Sequence, residues 1–145
     1  IIEHLFNYRN KIESIFITVQ KEFAKRVTAI PGSKEYGSLS CFVQYYAKPK
    51  IIFNIKKTSF FPVPKVDSSL LRMDIMRKSP LKKREEELFF KIVRAAFNKR
   101  RKTLRNSLDG IVSSEKLKEF FDKFGIDANI RPEDLSQQDF FNLIK

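Results

Sequence analysis

The chain has 145 residues, of which 42% are hydrophobic, enough for one domain or one and a half small ones. Twenty-nine basic against seventeen acidic residues leave a net charge of +12, an excess that points to a polyanionic partner, nucleic acid first and an anionic membrane surface second. The single cysteine excludes an intrachain disulfide and a Cys-based zinc site and fits a reducing cytosol; the single histidine argues against a His-ligated metal or a Ser-His-Asp triad.

In chain order, Ile1, Ile2, Leu5 and Phe6 read as the tail of an amphipathic helix already under way, and the chain is expected to start inside a domain. "SIFITV" at 14–19 is a continuous β-branched and aromatic run, the pattern of a strand buried on both faces in a parallel sheet. Phe23, Val27 and Ile30 recur at helical spacing until "PGS" at 31–33 breaks the chain. Leu39, Phe42, Val43 and Tyr46 mark a second helix, and "IIFNI" at 51–55 a second strand. Leu71, Met73 and Ile75 alternate with Arg72 and Asp74, which predicts a third strand.

The pattern changes near Ser79-Pro80, and from Glu85 onward no strand is predicted. Leu88, Phe89, Ile92, Val93, Ala96 and Phe97 share one helical face. Leu117, Phe120, Phe121 and Phe124 mark another helix, with Ser113 or Ser114 as its N-cap and Gly125 as its close. Ser136 with Asp139 forms a capping pair ahead of Phe140, Phe141 and Ile144. The organisation is an α/β part over residues 1–78 followed by a small all-helical domain over 79–145. The first 80 residues carry 14 basic and 6 acidic groups, the remainder 15 and 11.

Two segments carry functional signal. "NKRRKTLRN" at 98–106 contains Lys99, Arg100, Arg101, Lys102 and Arg105 and no acid. A solvated helix face is the plain reading of a charge run. Five cations without an interleaved acid repel one another, however, and arginine's planar fork suits phosphate oxygens. Lys21 and Lys25, with Arg26, are either a solvated helix face or a second part of an RNA-facing surface. "GSKEYGS" at 32–38 lacks the spacing of a P-loop or dinucleotide fingerprint and reads as a turn. No acid–base pair stands out: Glu3, Glu22 and Asp67 are isolated, and Glu85–Glu87 suit a helix N-terminus.

The other segment is "SFFPVPKVDSS" at 59–69. Prolines lack the amide that a central strand needs, so the segment is stiff and irregular. One of Phe60 and Phe61 is expected to pack inward. The other would be an aromatic mounted on a rigid support, a natural platform for an unstacked base.

"FFPVPKVDSSLLRM" resembles the Phe-x-Pro-x-Pro-Lys-Val-Asp-Ser signature of the ribosomal RNA adenine dimethyltransferases. "QKEFAKRVTAIPGSKEYGSLS" at 20–40, "FNKRRKTLRNSL" at 97–108 and "IRPEDLS" at 130–136 resemble further segments of that family, in the right order across nearly the whole chain. The basic run points to its small-subunit branch. The resemblance implies the C-terminal portion of a class I S-adenosylmethionine methyltransferase (Rossmann-like) sheet, followed by a helical rRNA-binding domain. It implies N6,N6-dimethylation of two adjacent adenosines near the 3′ end of 16S rRNA during ribosome biogenesis, with the target base flipped out and stacked on an aromatic.

On that resemblance Phe60 is the adenine-stacking residue and Phe61 packs inward. Arg100, Arg101 and Lys102 contact rRNA, with Lys99, Arg105, Lys21 and Lys25 as further rRNA-binding candidates. The glycine-rich cofactor loop, the acidic ribose-binding residue and the Asn-Leu-Pro-Tyr motif of the family do not occur in the chain. S-adenosylmethionine is therefore expected as cofactor of the parent protein, while the chain is expected to be a C-terminal fragment with no catalytic, cofactor-binding or metal residue of its own, inactive alone and marginal or associating because its sheet edge is bare. The partner is the small ribosomal subunit, the setting cytoplasmic, and the intact protein a monomer. A non-catalytic ribosome-assembly factor and a resistance-type large-subunit methyltransferase are the alternatives.

Overall fold

The computed structural model describes residues 1–99 and 101–145. It divides into two compact units, one of residues 1–29 with 39–80 and one of residues 30–38 with 81–145.

The first unit is a three-stranded antiparallel sheet with helices on one face. A short helix α1 (Ile2–Phe6) leads to β1 (Ser14–Gln20), which passes directly into α2 (Lys21–Val27). Helix α3 (Ser38–Tyr46) runs directly into β2 (Ala47–Ile55), and β3 (Ser68–Ile75) completes the sheet in the order β1-β3-β2. Ile15 lies opposite Met73 and Ile17 opposite Leu71, while Ala47 faces Ile75 on the other side of β3. Ile15, Leu71, Met73 and Ala47 form the sheet's share of the core, against Phe6, Ala24, Val27 and Val43 from the helices.

The antiparallel pairing corrects the expectation of a doubly buried parallel strand at 14–19. β1 pairs only with β3 and has one face against the core, so its burial alternates, and Phe16 on the other face is 61% exposed. β2 starts four residues earlier than its apolar run and includes Pro49, which an edge strand tolerates because no partner needs its missing amide on the outer side. Its pairing shifts by one residue between Ile51 and Phe53. Ser69, fully buried, donates to Asn54 Oδ1 at 2.8 Å and so leaves no orphan hydroxyl under the sheet.

The second unit is helical. α4 (Lys83–Asn98) buries Phe89, Ile92, Val93 and Ala96, while Leu88 at its start stays 37% exposed. Glu85 reaches back to accept from Lys82 N at 2.9 Å. After α5 (Leu104–Ser107), α6 (Ser114–Phe124) is bounded as its sequence predicts: Ser113 Oγ accepts from Lys116 N at 3.2 Å, and Gly125 ends the helix at φ 64°. α7 (Gln137–Ile144) opens on a reciprocal cap. Asp139 N donates to Ser136 Oγ, and the Asp139 carboxylate accepts from Ser136 N at 2.8 Å. Phe89 meets Phe141 at 5.1 Å between ring centroids, and Phe97 meets Phe140 at 6.0 Å.

Residues 30–38 join this helical unit rather than the sheet. Gly32, at φ 80°, donates its amide to Glu133 O at 2.7 Å, and the Tyr36 ring stands edge-on to Phe97. Ile30, expected on the α2 face, is 70% exposed beyond the end of that helix. Among the described residues no strand follows β3, no group of residues could hold a metal ion, and no helix is long and apolar enough to cross a membrane.

Candidate nucleic-acid interface

The register places three chain ends together at one end of the sheet. Gln20 ends β1 opposite Ser68, and Ile55 ends β2 opposite the same residue, the first of β3. The connection 56–67 therefore leaves and re-enters the sheet where α2 begins. Its sequence, "KKTSFFPVPKVD", holds three lysines, two phenylalanines and two prolines.

Asp67 fixes this connection at both sides. Its carboxylate accepts from Lys57 N at 3.0 Å, which closes the loop on itself, and its carbonyl accepts from Lys21 N at 3.0 Å, which ties the loop to the first residue of α2. A charged acceptor on a backbone amide is among the stronger hydrogen bonds. Between these anchors the chain makes a 3-10 turn, Lys57–Ser59, and Phe60 follows it in extended conformation at φ −118°, its amide bonded to Lys57 O. The Phe61–Pro62 peptide is cis.

Phe60 is half-buried. Phe61 is 101% exposed, which corrects the expectation that it packs inward. Of the two adjacent rings the outward one is Phe61. Neither ring pairs with another aromatic among the described residues. Val63 and Val66 are also exposed, at 58% and 47%.

Lys21 is partly buried at the head of α2, and Lys25 lies exposed one turn further along the same helix face. Lys56, Lys57 and Lys65 add three exposed cations on the loop. In sequence they are a pair and a single lysine rather than a basic run, and the connection 56–67 carries all three. Asp67, read as an isolated acid, serves as the loop's clamp.

In the helical unit the basic segment forms the turn between α4 and α5. Lys99 closes α4, Lys102 N donates to Lys99 O at 3.2 Å, and Thr103 Oγ1 caps α5 by accepting from Asn106 N at 3.4 Å. Leu104, fully buried, donates its amide to Ile130 O at 2.8 Å and anchors the far side of the turn. Lys99, Arg101, Lys102 and Arg105 are all exposed, and none takes part in an ion pair among the described residues. Lys99 Nζ reaches Asn106 O at 3.5 Å. Arg101 stands at φ 74°, a left-handed conformation that costs a side-chain-bearing residue about 1–2 kcal/mol. Arg100 lies outside the described residues. The segment is thus a turn packed at Leu104 that presents cations to solvent, suited to phosphate rather than to base edges.

The sequence profile of the family Ribosomal RNA adenine dimethylase matches residues 1–145. The chain belongs to that family. It is 42% identical over 144 residues to the Ribosomal RNA small subunit methyltransferase A of Clostridium acetobutylicum, an alignment covering 99% of the chain and 52% of that protein. It is 45% identical over 133 residues to the protein of the same name in Caldanaerobacter subterraneus subsp. tengcongensis, covering 91% and 50%. The chain spans about half the length of these relatives. Its fold is that of a dimethyladenosine transferase from Plasmodium falciparum, at TM-score 0.80 and 23% identity over 98% of this chain and 59% of that one. It also matches the 23S rRNA methyltransferase ErmE at TM-score 0.69 and 19% identity, with the same coverage.

Members of a methyltransferase family use S-adenosylmethionine, and the residues described here do not fit that cofactor. Gly32, Gly37, Gly110 and Gly125 are the chain's four glycines, and none lies at a turn from a strand into a helix. The one direct strand-to-helix passage, Gln20–Lys21, has no glycine, and the Lys21 amide is already bonded to Asp67. What this adenine dimethylase chain contributes is an aromatic loop bearing three exposed lysines on the sheet unit and a cationic turn on the helical unit.

Proposed function

We propose that these 145 residues are the substrate-binding part of an S-adenosylmethionine-dependent enzyme that dimethylates N6 of two adjacent adenosines near the 3′ end of small-subunit rRNA, in ribosome biogenesis in the cytoplasm. The observation that carries the reading is the loop 56–67, in which a half-buried phenylalanine is held by a clamped, proline-stiffened segment at the end of the sheet. The 42% identity to a small-subunit methyltransferase supports the choice of RNA.

In this reading Phe60 stacks on the extruded target adenine. Its partial burial holds the ring at a fixed orientation while leaving part of it open. The cost of unstacking the base falls as the ring replaces the lost base neighbours. Lys21 and Lys25 neutralise phosphates beside the flipped nucleotide. Lys99, Arg100, Arg101, Lys102 and Arg105 hold phosphates of the rRNA and contribute affinity without reading sequence. The methyl donor is held by residues of the parent protein other than these, so the isolated chain neither binds S-adenosylmethionine nor methylates.

The test is labelled methyl transfer from S-adenosylmethionine to undermethylated small ribosomal subunits by the full-length parent protein, with the product nucleosides mapped. Label on two adjacent N6,N6-dimethyladenosines is the expected result. Subunit binding without transfer would identify an assembly factor instead, and label on large-subunit RNA would move the protein to the other branch of the family.

A further inference from the structure

Resting on that reading, we propose that Phe61 is a second RNA-contacting aromatic, which stacks on an unpaired nucleotide adjacent to the target adenosine and so positions the strand while Phe60 holds the target itself.

Phe61 has the greatest exposure of any large hydrophobic side chain described, at 101%, and it contacts no other ring. A phenylalanine with no packing partner contributes nothing to the stability of this unit. The surrounding segment is nevertheless built to hold it still. Pro62 and Pro64 follow it, a 3-10 turn precedes Phe60, and Asp67 clamps the loop to Lys57 and Lys21. Rigid presentation lowers the ordering cost of a contact made on binding.

The charge of the loop that carries Phe61 selects the occupant. Residues 56–67 carry Lys56, Lys57 and Lys65, and the loop's one carboxylate, Asp67, is engaged by a backbone amide. Lys21 and Lys25 lie on α2, whose first residue is bonded to the loop at Asp67. Cations on the same loop as an exposed aromatic match a single-stranded nucleotide, whose phosphate and base satisfy the two features together. Phe60 is half-buried while Phe61 is fully exposed, so the two rings present different surfaces and fit two neighbouring bases.

The experiment uses the full-length parent protein with Phe61→Ala and Phe61→Tyr. Phe61→Ala is expected to raise KM for undermethylated small subunits about tenfold, the scale of one lost base stack, with kcat unchanged. Phe61→Tyr should restore KM, and the melting temperature of both variants should match the parent. A short hairpin RNA with 2-aminopurine beside the target adenosine gives an independent readout: the parent protein changes its fluorescence and Phe61→Ala abolishes that change. An unchanged KM and an unchanged fluorescence response overturn the proposal. So does a melting temperature lowered by Phe61→Ala, which would show that the ring packs against the rest of the parent protein. If the parent protein transfers no methyl group at all, the enzymatic reading fails by itself, and the fluorescence comparison still decides whether Phe61 contacts RNA.

Discussion

The loop 56–67 and the turn 99–105 both present cations to solvent, yet they are built differently. The loop carries three lysines and two phenylalanines and is fastened by Asp67 at both sides. The turn has no aromatic of its own, is anchored by buried Leu104, and among the described residues carries four exposed cations without an ion pair. The first arrangement favours a base at a fixed position; the second favours a stretch of phosphates without preference among bases. A basic surface thus has two separable components, and net charge alone does not distinguish them.

The largest expected effect breaks the comparison on the loop side. Phe60→Ala in the full-length protein should lower kcat/KM for methyl transfer by a factor of roughly 5 to 150, the equivalent of about 1–3 kcal/mol of base stacking, with subunit affinity almost unchanged. Equal losses in both would make Phe60 a packing residue. On the turn side, replacing Lys99, Arg101 and Lys102 together with alanine should weaken RNA binding at every sequence tested. Each lost phosphate contact should remove roughly 0.7 from the slope of log K against log salt for single-stranded RNA. A slope that does not change would place the phosphate contacts elsewhere.

Smaller effects sharpen the comparison by separating stability from binding. Asp67→Ala removes a charge-assisted bond to Lys57 N and should cost about 1–2 kcal/mol, read by hydrogen exchange as faster opening of the loop. Ser113→Ala deletes the α6 cap and should cost about 1 kcal/mol of stability in chemical denaturation while leaving RNA binding intact. The smallest concerns Asp74, whose carboxyl is held below the usual carboxylate range by the Ser14 hydroxyl at 2.7 Å and then by Arg72. A depressed folded-state pKa stabilises above the ordinary carboxylate value and loses that contribution as pH falls through the folded value. Ser14→Ala should therefore lower stability slightly at neutral pH and not below the folded-state value, which flattens the acid limb of the profile followed by chemical denaturation across pH.

How much of this was legible in the sequence depends on how local the cause is. α6 was readable at both ends because a serine cap and a left-handed glycine act within one turn. β3 was readable because its period of two reports one covered face. β1 was misread because Phe16 is apolar on the open face, so hydrophobicity does not alternate where burial does. The assignment of 30–38 to the helical unit rests on Gly32 meeting Glu133 and Tyr36 meeting Phe97, contacts of long sequence separation that no local pattern encodes. At the candidate interface, the basic turn was visible as a run, and Phe60 through its family signature. The orientation of Phe61 was not, because proline-rich backbone has no period from which a face can be inferred. The role of Asp67 depends on the hairpin closing, because its two partners, Lys57 and Lys21, are distant in sequence.

The most direct test of the central claim, that the loop acts on the base and the turn on the backbone, is steady-state methyl transfer to undermethylated small subunits across a salt series. It compares full-length Phe60→Ala with the Lys99, Arg101 and Lys102 triple alanine variant. The account predicts that Phe60→Ala lowers kcat at every salt concentration with the salt dependence of KM preserved, whereas the triple variant keeps kcat and loses part of that dependence. Two variants that shift the same parameter by the same factor would contradict it.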